Sequence, residues 1–253
     1  MKRILVFVYG IASYAVFFAA LLYAIGFLGN FGVPKSIDSG PDGSVIGALV
    51  IDGLLLAIFA LQHSIMARPW FKRAWTKFVP EPTERSTYVL LSSLALLLLF
   101  WLWQPIGGVV WNIENSVGRA LMMGSYALGL LIVLLSTFMI NHFDLFGLRQ
   151  VYLYLVNRPY THLEFKTPFF YRYVRHPLYV GWLFTFWSAP TMTIAHLFFA
   201  VMTTAYILVA IRFEEKDLVA LHGEKYRRYR EDVPMLIPTI GMESKSDLAN
   251  RTA

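Results

Sequence analysis

The sequence predicts an all-α, polytopic integral membrane protein with four spanning helices, a C-terminal helical hairpin and a cytoplasmic amphipathic tail helix. Hydrophobic residues make up 57% of the chain and charged residues only 15%, a balance far from that of soluble domains. Four apolar stretches are each long enough to cross a bilayer, and they cover residues 4–29, 45–66, 88–110 and 121–140. A fifth stretch without Asp, Glu, Lys or Arg, residues 178–211, is longer than one crossing needs.

The first apolar stretch, residues 4–29, is predicted to be a retained spanning helix. It is much longer than the apolar region of about 7 to 15 residues in a signal peptide, and no clear small-x-small cleavage site follows it. The stretches that follow leave no room for a separate soluble domain. We therefore predict one membrane domain over residues 1–241 and a disordered tail over residues 242–253.

The fifth apolar stretch is predicted to fold back on itself. A single helix over residues 178–211 would be about 51 Å long, whereas the hydrocarbon core is about 30 Å thick. We expect the turn near Pro190 and Thr191, because proline removes a backbone donor and breaks a helix. The hairpin then brings together two polar ends, which are Arg175-His176 and Glu214-Glu215.

The segment after the hairpin has a helical spacing of polar and aromatic residues. Steps of 3, 4, 4 and 3 from Glu215 place one set of residues on a single helix face, namely Leu218, His222, Tyr226 and Tyr229. Gly223 weakens a helix by about 1 kcal/mol relative to Ala and marks where it can break. The spacing fits two interpretations equally well. One is an interfacial amphipathic helix whose basic residues face anionic lipid, and the other is a helix face that carries functional residues.

The distribution of Lys and Arg predicts the orientation in the membrane. Basic residues are concentrated at the N-terminus, in residues 68–85 and in the loop of residues 141–177, whereas the intervening loops carry few. Because basic loops are retained in the cytoplasm, we predict that both termini and the 141–177 loop are cytoplasmic. The net charge of +6 is explained by these loops and by anionic lipid headgroups, so we predict no nucleic-acid partner.

Composition and motifs exclude several kinds of site. The chain has no cysteine, which excludes disulfides, thiolate nucleophiles and cysteine-based metal sites. The spacing of His142, His162 and His176 matches no compact ligand motif, so we predict no metal site. Asp52 and His63 lie inside the second predicted spanning helix, where a functional role and helix–helix hydrogen bonding are both open interpretations.

Two C-terminal motifs carry a family resemblance. They are Arg175-His176-Pro177-x-Tyr179-x-Gly181 and, after the hairpin, Glu214-Glu215 with Leu218, His222-Gly223, Tyr226, Tyr229 and Pro234. Together they resemble the signature of membrane methyltransferases that act on isoprenylcysteine carboxylates and on phospholipid amines. The resemblance implies that S-adenosylmethionine binds on the cytoplasmic side, against Arg175, His176, Tyr179, Gly181, Glu214, Glu215, His222, Tyr226 and Tyr229.

The upstream half narrows the resemblance to bacterial methanethiol S-methyltransferases. Residues 61–69, 84–88 and 141–150 are similar to that family, although NnrU-type membrane proteins associated with denitrification share part of the first segment. The resemblance then covers nearly the whole chain. It implies an enzyme of the bacterial inner membrane that converts methanethiol, a small volatile thiol, to dimethyl sulfide, with hydrogen sulfide as a further acceptor.

The chemistry of thiol methylation indicates which side chains it requires. Transfer of a methyl group from a sulfonium to sulfur is an in-line displacement that consumes a thiolate, and a small alkyl thiol is mostly protonated at neutral pH. A nearby base, or a cation that stabilises the thiolate, therefore helps. The resemblance places His142, Asp144 and Arg149 at the cytoplasmic exit of the fourth helix, and they are the predicted catalytic residues.

Three alternatives remain open at this stage. The first is methylation of prenylcysteine or phospholipid. The second is an NADPH-dependent membrane reductase, because sterol reductases have a similar Arg-His-Pro turn, although an acid usually follows their motif glycine and Trp182 does so here. The third is a non-enzymatic NnrU-type protein in which Asp52 and His63 line a path. The sequence does not determine the oligomeric state.

Overall fold

Five helices of the computed structural model, which describes residues 1–40 and 43–238, are long and apolar enough to cross a membrane. They are α1 (Lys2–Gly29), α2 (Val45–Ala67), α4 (Glu84–Leu102, preceded by the 3-10 helix Glu81–Thr83), α5 (Ser116–Ile140) and α9 (Ile194–His222). The shorter helices are α3 (Pro69–Trp75), α6 (His142–Leu145), α7 (Leu148–Leu155), α8 (Pro177–Trp187) and α10 (Glu224–Asp232), and a further 3-10 helix covers Phe169–Arg172. The predicted all-α membrane fold is confirmed. The tail predicted to be disordered, residues 242–253, lies outside the described residues.

The third predicted span, residues 88–110, is wrong at both ends. Its helix, α4, already begins at Glu84 and ends at Leu102, because Pro105 and Gly108 follow and Gly108 has a positive φ of 99°. The last two residues of the stretch begin strand β1 (Val109–Asn112), which pairs antiparallel with strand β2 (Thr191–Thr193). This two-stranded sheet joins the α4–α5 connection to the turn of the hairpin.

The predicted hairpin is confirmed, but its two arms are unequal. The first arm, α8, has 11 residues and is about 16 Å long, which is too short to cross a bilayer alone. Its chain continues as an irregular segment into β2, whose backbone pairs with β1. Backbone hydrogen bonds from Ile113 to Pro190 (2.9 Å) and from Ile194 to Gly108 (3.1 Å) satisfy polar groups outside the helices.

The second arm, α9, has 29 residues and continues past the predicted end of the hairpin at Ile211. Glu214 and Glu215 therefore belong to the same helix as the apolar arm and not to a separate tail. The prediction of one tail helix that carries both His222 and the two tyrosines is wrong, because Gly223, with φ 60° and ψ −131°, ends α9 before α10 begins. The break falls at the residue that the sequence marks as the weak point.

The 141–177 loop is partly helical and packs beside α1. A Cβ on Gly10 of α1 would lie 2.5 Å from a methyl group of Val151, so α7 approaches α1 closely at this glycine. Arg3 donates a hydrogen bond to Asn157 (2.6 Å), and its guanidinium lies over the ring of Tyr154. The N-terminus and the loop therefore share one end of the helix bundle, as the predicted orientation requires; the side of the membrane that they occupy stays a prediction.

Gly181, a predicted cofactor residue, lies where α8 approaches α5 most closely. A Cβ on Gly181 would be 2.7 Å from the carbonyl oxygen of Gly129 and 2.8 Å from a methyl group of Val133. The reciprocal Cβ on Gly129 would be 2.6 Å from the carbonyl oxygen of Gly181. Small residues let two backbones approach in a membrane, so the described contacts of Gly181 are with α5.

The substitution Gly181→Ala is expected to destabilise the protein by about 1–3 kcal/mol, because the new methyl group overlaps backbone atoms that cannot move independently. The thermal unfolding midpoint of the detergent-solubilised protein measures the loss. Gly124→Ala is the matched control on α5, where a Cβ meets nothing within 4 Å and the higher helix propensity of Ala is the only change. Equal midpoints for the two variants would contradict the close-contact interpretation.

Candidate active site

An ion pair closes the open end of the hairpin formed by α8 and α9. Nε of Arg175, two residues before α8, donates to Oε1 of Glu215 on α9 at 2.7 Å, and both side chains are 11% exposed. His176, the residue next to Arg175, reaches the same carboxylate oxygen with Nε2 at 3.1 Å. One carboxylate therefore holds two side chains from the beginning of α8, as the hairpin prediction expects.

The chain after α10 is fastened to the same place by backbone contacts. The amide of Arg175 donates to the carbonyl of Pro234 (2.9 Å) and that of His176 to the carbonyl of Met235 (3.2 Å). The Arg175 guanidinium also donates to the carbonyls of Arg230 (2.9 Å) and Val233. In the structure, Arg175 thus organises three chain segments around the Glu215 carboxylate.

Glu214 is the more accessible carboxylate of the site. Its side chain is 43% exposed, and its Oε2 accepts a hydrogen bond from the Tyr179 hydroxyl at 2.9 Å. Nδ1 of His176 lies 3.9 Å from the same oxygen. The imidazole therefore lies between the two carboxylates, and Tyr179 fixes the orientation of the accessible one.

An aromatic group covers the site on the side of the tail. The ring of Phe165 contacts the rings of His222 (5.1 Å), Tyr226 (5.6 Å) and Tyr229 (5.4 Å). The Tyr229 hydroxyl donates to the carbonyl of Tyr171 at 2.5 Å. Burial, reinforced by the nearby Glu215 and Glu214 carboxylates, raises the pKa of Tyr226, so its hydroxyl stays protonated at neutral pH. The three predicted tail residues are thus brought together although the helix that carries them is broken.

His142 connects α1 with α5. Its Nε2 lies 2.7 Å from the Tyr14 hydroxyl, its Nδ1 lies 2.9 Å from the Thr137 hydroxyl, and its ring stacks on Phe138 at 4.4 Å. Burial lowers the pKa of His142, so the ring is neutral at pH 7. Both ring nitrogens already have a partner in this structure.

Asp144 and Arg149 form an ion pair at 2.8 Å. Tyr160 donates to Asp144 (3.3 Å), and Arg149 donates to the carbonyl of Thr161 (2.9 Å). These contacts hold Tyr160 and Thr161, which follow α7, beside Asp144 and Arg149. The catalytic role predicted for His142, Asp144 and Arg149 stays a prediction.

Several residues of the site could not be found from the sequence. Phe165 lies in a segment without periodicity, so nothing marks it as the ring on which the tail residues meet. Arg230 faces lipid in one of the two interpretations of the tail segment, but in the structure its Nη1 lies 4.0 Å from Oε2 of Glu215. The carbonyls of Val233 and Pro234 carry no side-chain signal, although Pro234 belongs to the second motif.

The comparison with known proteins assigns the family. A protein of Crocosphaera subtropica (strain ATCC 51142 / BH68) named methanethiol S-methyltransferase is 61% identical to this chain over 244 residues, which are 96% of both chains. The chain belongs to the methanethiol S-methyltransferase family. Its relative of that name from Mycobacterium tuberculosis (strain ATCC 25618 / H37Rv) is 52% identical over 94% of this chain and 98% of its own length.

A more distant similarity fits the wider superfamily. Nurim from Xenopus laevis is 27% identical over 187 residues, which cover 71% of this chain and 65% of nurim. No family model and no solved structure matches the chain. The predicted membership of the methanethiol S-methyltransferase family is confirmed by the closely similar relatives.

The substitution Arg175→Gln is expected to destabilise this member of the family by about 3–5 kcal/mol, because it leaves the Glu215 carboxylate desolvated without its partner. The double variant Arg175→Gln, Glu215→Gln should recover part of that loss, since it removes the uncompensated charge. Unfolding midpoints in detergent measure both effects.

The matched control for the Arg175 experiment is Arg228→Gln. Arg228 is 77% exposed and pairs with Glu224 only at 3.7 Å, so its loss is expected to change stability by less than about 1 kcal/mol. A single Arg175 variant as stable as the Arg228 variant would show that the buried pair does not hold the site together.

Proposed function

We propose that the protein transfers a methyl group from S-adenosylmethionine to methanethiol and forms dimethyl sulfide, on the cytoplasmic side of a bacterial inner membrane. The observation that carries the proposal is the 61% identity, over 96% of the chain, to a protein named methanethiol S-methyltransferase. Five helices that can cross a membrane, with a polar site where α8 and α9 meet, support a reaction on a small thiol that partitions into lipid. Hydrogen sulfide is the second acceptor of the proposal.

The residues at this site fit S-adenosylmethionine, which carries a sulfonium, an ammonium, a carboxylate and an adenine ring. Among residues 1–40 and 43–238, Oε1 of Glu214 has no partner, whereas Oε2 accepts from Tyr179. An accessible carboxylate oxygen suits an ammonium or ribose hydroxyls. The rings of Phe165, Tyr226 and Tyr229 form an aromatic surface that suits an adenine.

The residues of the chain act by holding charge in fixed positions. Arg175 and His176 fix the Glu215 carboxylate, and Tyr179 fixes the Glu214 carboxylate next to it. His176 is only 4% exposed, so this part of the site is screened from water and its electrostatic interactions are stronger than in bulk solvent. When bound, S-adenosylmethionine supplies an electrophilic methyl group on sulfur. The protein's contribution is to orient it and to exclude water from the reacting centre.

Membranes that contain the protein are expected to release dimethyl sulfide when they are supplied with methanethiol and S-adenosylmethionine, and gas chromatography of the headspace measures the product. Membranes without the protein are the control. Prenylcysteine and phosphatidylethanolamine should stay unmethylated, because the proposal has a site for a small thiol and none for a bulky lipid acceptor. Methylation of either lipid acceptor without dimethyl sulfide would contradict the thiol proposal, and NADPH oxidation without methyl transfer would favour a reductase.

The substitution Glu214→Gln is expected to weaken binding of S-adenosylmethionine about 10 to 150-fold, because a charge-assisted hydrogen bond typically contributes about 1.5–3 kcal/mol. Isothermal titration calorimetry of the purified protein measures the affinity. The matched control is Glu224→Gln, since Glu224 is 63% exposed on α10 and faces only Arg227 and Arg228. Unchanged affinity in the Glu214 variant would place the donor elsewhere.

A further inference from the structure

A second polar cluster lies inside the helix bundle, between α2, α4 and α9. The Tyr88 hydroxyl is 2.8 Å from Nε2 of His63, and the Ser92 hydroxyl is 3.1 Å from Nδ1 of the same ring. Tyr206 of α9 joins the cluster through its hydroxyl, 3.1 Å from that of Ser64, and through its ring, 6.3 Å from that of Phe59. Polar side chains inside membrane-spanning segments are unfavourable unless they are paired, and often mark functional sites; three helices contribute to this cluster.

Two contacts separate this cluster from an ordinary helix–helix hydrogen bond. The guanidinium of Arg85 lies over the ring of Tyr88 at 5.0 Å and donates to the carbonyl of Leu145 at 2.7 Å, which places a fixed positive charge beside the phenol. As a residue His63 is half-buried, and its ring stacks on Phe59 at 5.2 Å. A small molecule that is mostly apolar could therefore approach the imidazole from an aromatic surface.

The cluster also lies close to the proposed donor site. Tyr179 donates a hydrogen bond to Glu214 and is close enough to Tyr206 and Tyr88 to interact with them electrostatically. Glu214 is also close enough to interact electrostatically with Tyr88 and Tyr206. The accessible carboxylate therefore interacts with residues of both groups. His142, by contrast, contacts α1 and α5 through Tyr14 and Thr137.

We propose that His63 is the residue that takes the proton from the thiol, in an acceptor site formed by His63, Tyr88 and Tyr206. This inference rests on the proposed methylation of a small thiol and names the place and the base for that acceptor. Neutral imidazole is the side chain best suited to accept a proton near neutral pH. The site suits a small alkyl thiol because Phe59, Met66 and Val89 are the apolar neighbours of the cluster.

In the proposed step, the thiol gives its proton to His63 before the methyl group is transferred. With Nδ1–H directed to Ser92, Nε2 of His63 is the acceptor nitrogen, and it accepts from Tyr88 before the thiol arrives. The S–H bond of the thiol breaks, its proton passes to Nε2, and its electron pair stays on sulfur. The Tyr88 hydroxyl turns to the thiolate, which also interacts with the positive charge of Arg85. The thiolate sulfur then forms a bond to the methyl carbon as the bond between that carbon and the sulfonium sulfur of the donor breaks. Afterwards the imidazolium of His63 releases its proton to water.

The charged and titratable groups around His63 come from each of the packed helices. Arg68 on α2 pairs with Asp217 of α9 at 2.8 Å, Arg85 and Tyr88 belong to α4, and Tyr206 belongs to α9. Among these residue types, only histidine has an ordinary pKa near neutrality. A change in the pH profile that follows substitution of His63 is therefore assigned to the imidazole and not to one of these neighbours.

The test is the pH profile of kcat/KM for dimethyl sulfide formation from methanethiol, at saturating S-adenosylmethionine. The wild-type profile should be flat from about pH 7 to 9, because the base removes the proton in the site. His63→Ala should be about 100-fold slower or more at pH 7, and its rate should rise about tenfold per pH unit because only preformed thiolate reacts. Tyr88→Phe should lower kcat/KM about tenfold or more at every pH without changing the shape of the profile.

Two further variants separate a chemical role from a structural one. His196→Ala removes a buried histidine at the opposite end of α9, so it should lower the unfolding midpoint but keep the wild-type shape of the pH profile. If His63→Ala does not fold, as judged by titration with S-adenosylmethionine, His63→Gln replaces it, because an amide can bond Tyr88 and Ser92 but cannot take the proton.

The outcomes distinguish the inference from the proposed function. Wild-type protein that makes no dimethyl sulfide would contradict the proposed function itself. Wild-type protein that makes it, together with a His63 variant whose pH profile keeps the wild-type shape, overturns only the inference. If His142→Ala gains the tenfold slope and the His63 variant does not, His142 is the proton acceptor and the inference is also wrong.

Discussion

The ion pair of Arg175 and Glu215 is the interaction on which the rest of the candidate site depends. Its charges are 2.7 Å apart and almost fully desolvated, so each would be strongly unfavourable without the other. Because Arg175 precedes α8 and Glu215 lies near the end of α9, the pair closes the hairpin at its open end. The same guanidinium donates to two carbonyls around α10, and the backbone of Arg175 pairs with Pro234.

A buried ion pair adds little net stability compared with apolar packing, so its importance lies in the geometry that it imposes. With Glu215 turned toward Arg175 and His176, the neighbouring Glu214 points elsewhere, since adjacent residues of a helix are about 100° apart. Glu214 is then left accessible and held by Tyr179. One carboxylate organises the site and the adjacent one stays accessible, and the angle between neighbouring helix residues accounts for this division.

Apolar length was sufficient to predict α1, α2 and α5, because a crossing helix needs about 20 apolar residues and little else. The same criterion failed between Leu102 and Val110, where proline and glycine end the helix and the apolar chain continues into a strand. The hairpin predicted that Arg175 and His176 meet Glu214 and Glu215, but the pairing within that group depends on helix rotation. Phe165 could not be predicted, because an aromatic residue in an aperiodic loop carries no positional signal.

His63 illustrates a different limit of sequence reasoning. Its position inside a predicted spanning helix marked it as functional or as a helix–helix hydrogen bond. Only the three-dimensional structure shows that Tyr88 and Ser92 are its hydrogen-bond partners and that Phe59 contacts both His63 and Tyr206. The position of the cluster has a physical rationale in the proposed reaction. A thiolate and a sulfonium combine to give two neutral products, and water stabilises the separated charges more than it stabilises the transition state in which they partly cancel. Excluding water therefore lowers the barrier, and the bundle interior beside Glu214 is where a membrane protein can exclude it while a small thiol enters through the lipid.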